Sequence, residues 1–301
     1  MLEIIDGNSV PVSLKGFSRY PTRNRDPWRL AQYPTVFHKP KFRINRAARL
    51  FTIGSCFALN IERALLQHGM SVLSDCPDRQ HFVKYTTKSI LWDLEAAFDP
   101  ERWPSIIYRL GESIRLLNFS TSVAKRAMTE DECNRIIGQY FSTLQKISQS
   151  DVVVMTLGLV ENWYDRKRGQ YLNVMPTRDF DRDDFECRVL SYDDVVADLR
   201  SIVGRIGTLC DAKIVLTVSP VPLVATFRDQ DCIRANAYSK AVQRAAVEAI
   251  CMENDRVDYF PSYEIVSMAD MEYAWRTEDF RHVRSDMVEY VVKAALTAYL
   301  Q

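Results

Sequence analysis

Residues 50–70 read Leu50-Phe51-Thr52-Ile53-Gly54-Ser55-Cys56-Phe57-Ala58-Leu59-Asn60-Ile61-Glu62-Arg63-Ala64-Leu65-Leu66-Gln67-His68-Gly69-Met70, an apolar run of β character that breaks at Gly54 and resumes at helical spacing. The break sets Ser55 and Cys56 at a helix N-terminus, where backbone N–H groups lack intrahelical partners and the helix dipole adds partial positive charge. A thiolate or an oxyanion is stabilised at such a point. The turn is therefore the best seat for a nucleophile in the chain, and its position predicts a lowered thiol pKa at Cys56.

Outward from this stretch, strand-like and helix-like segments alternate from residue 46 onward, the pattern of a parallel sheet covered on both faces. Strands are expected at Leu50–Ile53, Val152–Leu157, Ile214–Val218 and Val257–Phe260, with a further one at Met70–Leu73. Each is a short apolar run of the kind a doubly covered sheet buries. Helices are expected at Phe57–His68, Thr87–Phe98, Glu130–Ile147, Val195–Ile206, Ile233–Met252 and Asp286–Leu300. Ser285 sits where an N-cap would for the last helix, and Met287, Val291, Ala294 and Ala298 recur on one face of it. Residues 77–149 and 165–192 are longer than simple crossovers and read as insertions, the natural source of substrate specificity. Residues 1–45 differ from the rest: Pro11, Pro21, Pro27, Pro34 and Pro40 punctuate a polar stretch with Lys15, Arg19, Arg23, Arg25 and Arg29. We read them as an extended arm lying on a main domain of residues 46–301, its basic residues solvated.

The 39 Lys plus Arg equal the 39 Asp plus Glu, which argues against nucleic-acid binding by bulk charge. The N-terminus has Glu3 and Asp6 and no apolar signal core, and no segment reaches the roughly 20 apolar residues needed to span a bilayer. The expectation is a cytoplasmic protein without a membrane span. Seven cysteines at 56, 76, 133, 187, 210, 232 and 251 show no C-x-x-C spacing, so neither a disulfide framework nor a zinc site is expected. No cofactor is expected either, because neither a dinucleotide fingerprint nor a P-loop follows any strand.

In a parallel α/β sheet, functional groups gather at the carboxyl ends of the strands. One end carries Gly54, Ser55 and Cys56, a second Gly158-Leu159-Val160-Glu161-Asn162-Trp163, and a third Thr217-Val218-Ser219-Pro220. A loop before the last helix adds Asp279-Phe280-Arg281-His282. An Asp three residues before a His can reach the imidazole Nδ1–H and fix the tautomer that leaves Nε2 free to take a proton from a nucleophile. Glu161 has two readings, lining a pocket or pairing with an arginine. Trp163 and Tyr164 also have two, stacking on a sugar face or packing a wall. His38, His68 and His81 have no partner pattern and read as surface or packing residues.

Five blocks together resemble the GSCFA family and, through it, the SGNH/GDSL hydrolase superfamily: Gly54-Ser55-Cys56-Phe57-Ala58, Thr156-Leu157-Gly158 with Glu161, Val218-Ser219-Pro220-Val221-Pro222-Leu223, Phe260-Pro261-Ser262-Tyr263-Glu264, and Glu278-Asp279 with His282. The resemblance covers most of residues 45–301. It implies a three-layer α/β/α fold with a flavodoxin-like, mostly parallel sheet, and acyl-ester chemistry on a small-molecule or carbohydrate substrate. Aligning the superfamily's Gly-Asp-Ser on Gly54 puts Cys56 at the nucleophile; aligning its Ser on Ser55 leaves Cys56 as packing. The first register is preferred, because the turn should open on the glycine. The Gly-x-Asn-Asp motif, whose Asn resembles an oxyanion donor, has Val160 at the matching position. Either Asn162 substitutes, or backbone N–H groups at Gly54 and Cys56 form the hole alone.

The reading drawn from this is an acyl-transfer enzyme, either an esterase or thioesterase or a carbohydrate O-acyltransferase, in which His282 deprotonates Cys56. Its alternative is a non-catalytic module on the same fold that holds a glycan or acylated ligand.

Overall fold

Alternation along β1 (Arg49–Gly54) sends Phe51 and Ile53 into one apolar cluster and Leu50 into another. The same split recurs in β5 (Val152–Leu157), where Val153, Met155 and Leu157 join the first cluster and Val152 and Val154 the second. A strand buried on both faces needs helices on both faces. The computed structural model, which describes residues 18–22 and 24–301, supplies them. With β2 (Ser71–Val72), β9 (Lys213–Val218) and β10 (Val257–Tyr259), these strands form an all-parallel sheet in the order β2-β1-β5-β9-β10. This is the flavodoxin-like order 2-1-3-4-5, whose switch point falls between β1 and β5. The three-layer α/β/α fold read from the sequence is the observed one.

Helices α1 (Cys56–Gln67), α7 (Ser262–Met268), α8 (Met271–Ala274) and α9 (Ser285–Tyr299) cover one face. Helices α2 (Thr87–Ala96), α4 (Glu130–Gln145), α5 (Tyr192–Leu209) and α6 (Cys232–Glu253) cover the other. Between α2 and α4 lie the hairpin β3 (Ile107–Leu110) and β4 (Ser113–Leu116) and the short α3 (Thr121–Ala124).

Three local expectations are corrected. Residues 161–189 hold a three-stranded antiparallel sheet, β7 (Gln170–Leu172), β6 (Glu161–Asp165) and β8 (Phe185–Val189), where the sequence showed only a strand end followed by an elaborated connection. Helix α5 starts at Tyr192, before Val195, because Ser191 and Asp194 form a reciprocal capping box. Ser285 is not the cap of α9: Arg284 occupies that position with no side-chain capping bond, and its guanidinium pairs with Asp286 at 3.0 Å.

Of the N-terminal stretch, residues 1–17 and Arg23, with Pro11 and Lys15 among them, lie outside the described residues. Farther on, Tyr33 Oη donates to Asp286 at 3.0 Å, and Ile44 bridges to Leu300 at the end of α9. His38 Nε2 lies 2.9 Å from Tyr299 Oη and 3.2 Å from Asp258, so it has partners after all, both far along the chain.

The first long connection straps residues 83–85 across the carboxyl ends of β1 and β5. Lys84 N donates to Gly54 O at 2.7 Å, and Leu159 N donates to Tyr85 O at 2.7 Å. The strap is anchored by a fully buried ion pair, Lys84 Nζ to Asp93 Oδ2 at 3.1 Å, with Tyr140 also donating to Asp93 and Lys84 to the Asn118 carbonyl. Burial pushes the Asp93 carboxyl up to about 6, against the opposing pull of Lys84. Because this folded value lies above the ordinary one, ionising Asp93 works against folding as pH rises from about 4 through 6. The lysine charge is what makes the ionised form tolerable. Lys84→Met should therefore lower the unfolding free energy by about 3–5 kcal/mol at neutral pH, and by less in mild acid where Asp93 is protonated. Urea midpoints measured across that range check it, and a penalty that does not grow with pH would count against the pair.

Candidate active site

Gly54 ends β1 at φ +132°, and a Cβ there would run into the Thr156 carbonyl, so only glycine serves. The next residue, Ser55, is extended, is 3 % exposed, and caps α1 by accepting from Phe57 N at 3.3 Å. Cys56 is the first helical residue and is half-buried. Gly158, at the end of β5, lies against the same turn: a Cβ there would sit 2.7 Å from Tyr85 O and 3.2 Å from Ser55 Cβ. The turn, the strap and the end of β5 are thus in van der Waals contact at the switch point.

The environment of Cys56 is charged. Burial raises its thiol above the ordinary value, opposed by the cations of Arg281 and Lys240 and by the backbone N–H groups of Cys56 and Phe57. The lowered thiol expected from the helix N-terminus is therefore corrected: desolvation outweighs it. Tyr85, from the strap, is likewise raised by burial, and next by the charge of Cys56. Lys240 reaches the site from α6 with its side chain 1 % exposed, and its Nζ donates to Gly158 O at 2.8 Å and Val221 O at 2.9 Å. Burial lowers its amine to about 7, while Cys56 pulls the other way.

In the loop before α9, the Asp279 carboxylate accepts from the backbone N–H groups of His282 and Arg281, each at 3.0 Å, and from His282 Nδ1. Those backbone donors, the His282 amide first, hold the Asp279 carboxyl far below the usual carboxylate range. Arg281 Nη2 lies 3.3 Å from His282 Nε2. A guanidinium can only donate, so this contact assigns the lone pair to Nε2 and the proton to Nδ1, the tautomer the Asp-x-x-His spacing predicts. Phe280, between the pair, is exposed and holds a left-handed φ of +47°. A groove of about 640 Å³ lies behind this loop, lined by Arg276, Glu278, Asp279 and Arg284.

The remaining candidates face elsewhere. Glu161 neither pairs with an arginine nor stands free: it accepts from Thr226 Oγ1 at 2.7 Å and Phe227 N at 3.1 Å, closing the loop after β9. Asn162 is 1 % exposed, with Nδ2 3.4 Å from Val160 O and Oδ1 unpartnered. Trp163 packs edge-on against Phe227, ring centres 4.8 Å apart, and against the cluster of Tyr108, Leu172 and Phe185. The sequence reading names Arg281 only as part of its loop, with no role, and does not single out Lys240, Tyr85 or the Lys84–Asp93 pair. Lys240 left one trace there, a charge on the helix stripe it shares with Asn236, Gln243 and Val247.

Among the described residues no group of three or more His, Cys, Asp or Glu side chains could hold a metal, and no helix is long and apolar enough to cross a membrane.

Fold and site together define a doubly wound α/β protein with a cysteine on the strand–turn–helix of its first βα unit and an Asp–His pair in its last loop. The chain belongs to the GSCFA family, whose model matches residues 49–294. No curated protein matches it. Similar solved structures include a variant of Axe2, an acetyl-xylooligosaccharide esterase of Geobacillus, at 15% identity and a TM-score of 0.36 over 85% of this chain and 96% of that one. They include also LAE5, an alpha/beta hydrolase enzyme from the metagenome of Lake Arreo, Spain, at 14% identity and 0.35 over 85% and 96%. BT4096, a gut microbial diltiazem-metabolizing enzyme, matches at 14% identity and 0.36 over 87% of this chain but 48% of its own. At such identities none of them transfers a residue role.

With burial dominant, Cys56 in the folded protein should alkylate with iodoacetamide more slowly at neutral pH than a free thiol, with a midpoint above the ordinary thiol value. Peptide mapping by mass spectrometry across a pH series checks this; a faster reaction than that of a free thiol would reverse the ranking of the two effects.

Proposed function

We propose that this protein is an acyl-transfer enzyme with Cys56 as nucleophile and His282, oriented by Asp279, as the acid–base group of the site. The observation that carries the reading is the Asp279–His282 pair, held in the tautomer a base requires, in the loop whose Arg281 charge reaches Cys56. Topology supports the same convergence. Helix α1 begins at the carboxyl end of β1, and α9 begins just after the pair and packs along α1. Ser55 is consumed as the helix cap and buried, which favours the register with Cys56 at the nucleophile.

In the reaction, the sulfur electron pair forms a bond to the acyl carbon as the carbonyl π pair moves onto oxygen. Backbone N–H groups at the Gly54–Cys56 turn receive that oxyanion, since the Asn162 amide is turned toward Val160. His282 takes the S–H proton as the sulfur attacks and gives it to the alcohol or thiol of the donor, whose departure on collapse leaves a thioester on Cys56. His282 then takes the proton of the acceptor, water or a sugar hydroxyl, whose oxygen displaces the sulfur, and returns that proton to the departing thiolate; for both steps Arg281 must move off Nε2. A thioester passes readily to an alcohol, so a carbohydrate acceptor suits a cysteine nucleophile. The non-catalytic alternative draws on the raised thiol and on Val160 at the oxyanion-donor position.

Release of an aryl alcohol from its acetate ester decides between them. Cys56→Ala should abolish it, and His282→Asn should reduce it by about 10²–10⁴. No turnover in the unaltered protein would leave the binding module, whereas undiminished turnover in Cys56→Ala would remove Cys56 from the role of nucleophile.

A further inference from the structure

The loop that carries Asp279 and His282 stands out from the helical layer. Its base is closed where Trp275 bridges Val283 and Arg284 N donates to Ala274 O at 3.0 Å, and residues 276–280 beyond the base are exposed. The tip is ordered by its own bonds: Arg276 N donates to His282 O and Phe280 N to Arg276 O, each at 2.8 Å, and the Asp279 carboxylate takes the amides of Arg281 and His282. A loop held by exposed hydrogen bonds opens readily. Just outside the base, the N-terminal arm holds both of its legs. On the incoming leg, in α8, Tyr273 Oη accepts from Gln32 Nε2 at 2.9 Å. On the outgoing leg, in the first turn of α9, Asp286 Oδ2 accepts from Tyr33 Oη at 3.0 Å. The Tyr33 ring lies against those of Tyr273 and Tyr290, with centres 5.9 and 5.2 Å away. Asp286 in turn takes Arg284 Nε and Nη2, each at 3.0 Å, so the bond from Tyr33 reaches the residue that closes the loop. The arm is itself anchored. It follows α9 in the direction of the helix, from Tyr33 at Asp286 to Ile44, whose N–H donates to Tyr299 O at 2.8 Å, and between them His38 lies 2.9 Å from Tyr299 Oη.

We propose that Gln32 and Tyr33 are positioning residues for His282, clasping the two legs of its loop through Tyr273 and Asp286. For its effect on turnover the proposal rests on the acyl-transfer reading; the clasp itself does not. The reaction gives the clasp a task. Arg281, next in the chain, must leave Nε2 before the imidazole can take a proton, and a loop fixed at both legs lets that side chain swing away without carrying His282 with it. Misplacing a catalytic group by about 1 Å can cost about 10²-fold in rate, so a loosened loop is felt in the chemical step.

The test compares the unaltered protein with Tyr33→Phe, which keeps the ring and removes the donor, with Gln32→Ala, and with the two changes combined. Amide hydrogen exchange and release of an aryl alcohol from its acetate ester are the readouts. Each single change should speed exchange in residues 276–284 by about fivefold to tenfold, the worth of one hydrogen bond, and leave residues 153–155 of β5 unmoved. The combined variant should lower kcat about tenfold with KM unchanged, because the residues act on the position of the acid–base group and not on substrate binding. Loop exchange unmoved in the variants overturns the clasp, and exchange speeded equally in β5 overturns it as well, since a clasp acts locally. A loosened loop with kcat unmoved overturns the positioning role. Gln32 is exposed, so Gln32→Ala keeps the test decisive should Tyr33→Phe fail to fold. Absence of turnover in the unaltered protein sinks the acyl-transfer reading and the effect on kcat with it, whereas hydrogen exchange still decides the clasp.

Discussion

The approach of three chain segments at the switch point governs the rest of the molecule. β1 ends on Gly54, Gly158 follows the last residue of β5, and the strap at residues 83–85 crosses both, its Lys84 N on Gly54 O and its Tyr85 O on Leu159 N. No side chain fits at either glycine, so the backbone itself fixes where α1 begins and where Cys56 sits. The strap comes from the first long connection and is held from the second. Asn173, in the loop after β7, accepts from Tyr85 N at 2.9 Å and donates to Val83 O and Phe119 O. Both insertions therefore close on the turn that carries Cys56.

The parallel sheet was legible because its strands are apolar and short and its helices periodic. Val152–Leu157 was placed to the residue, and most helix ends to within a few. The second sheet was not legible, for the opposite reason. In β6, Glu161, Asn162 and Asp165 are buried and polar. Two of them spend their polarity on distant or turn partners: Glu161 on Thr226 and Phe227, Asp165 on Tyr108 and on the amides of Lys167 and Arg168. A reading based on apolar alternation sees no strand there. His38 is the same case at longer range, since Asp258 and Tyr299 become its neighbours only when the sheet and α9 are assembled.

The turn residues and the Asp-x-x-His pair of the candidate site could be read because each is local: a glycine before a helix start, and a carboxylate three residues from an imidazole. The cations around Cys56 could not, because burial of a charge is a property of the assembled layers. Lys240 belongs to the layer on one face of the sheet, whereas α1 and the His282 loop belong to the other. Lys240 comes to the carboxyl edge of the sheet through its hydrogen bond to Gly158 O, the residue that lies against the Ser55–Cys56 turn.

That meeting bears on how a cysteine in this turn could be activated at all. A helix N-terminus favours a negative charge by about 0.3–1 kcal/mol, reaching ~2 in partly buried geometries, which is at most a unit or so of pKa. Burial of a thiol in apolar surroundings acts in the opposite direction, and at Cys56 burial prevails. The helix N-terminus at the Gly-Ser-Cys turn therefore does not by itself lower the thiol of Cys56. The cations that oppose burial are brought by other elements, Lys240 from α6 and Arg281 beside the imidazole. One can change its protonation state near neutral pH and the other cannot. The protonation of Cys56 accordingly depends on α6 and the loop before α9 as well as on its own helix.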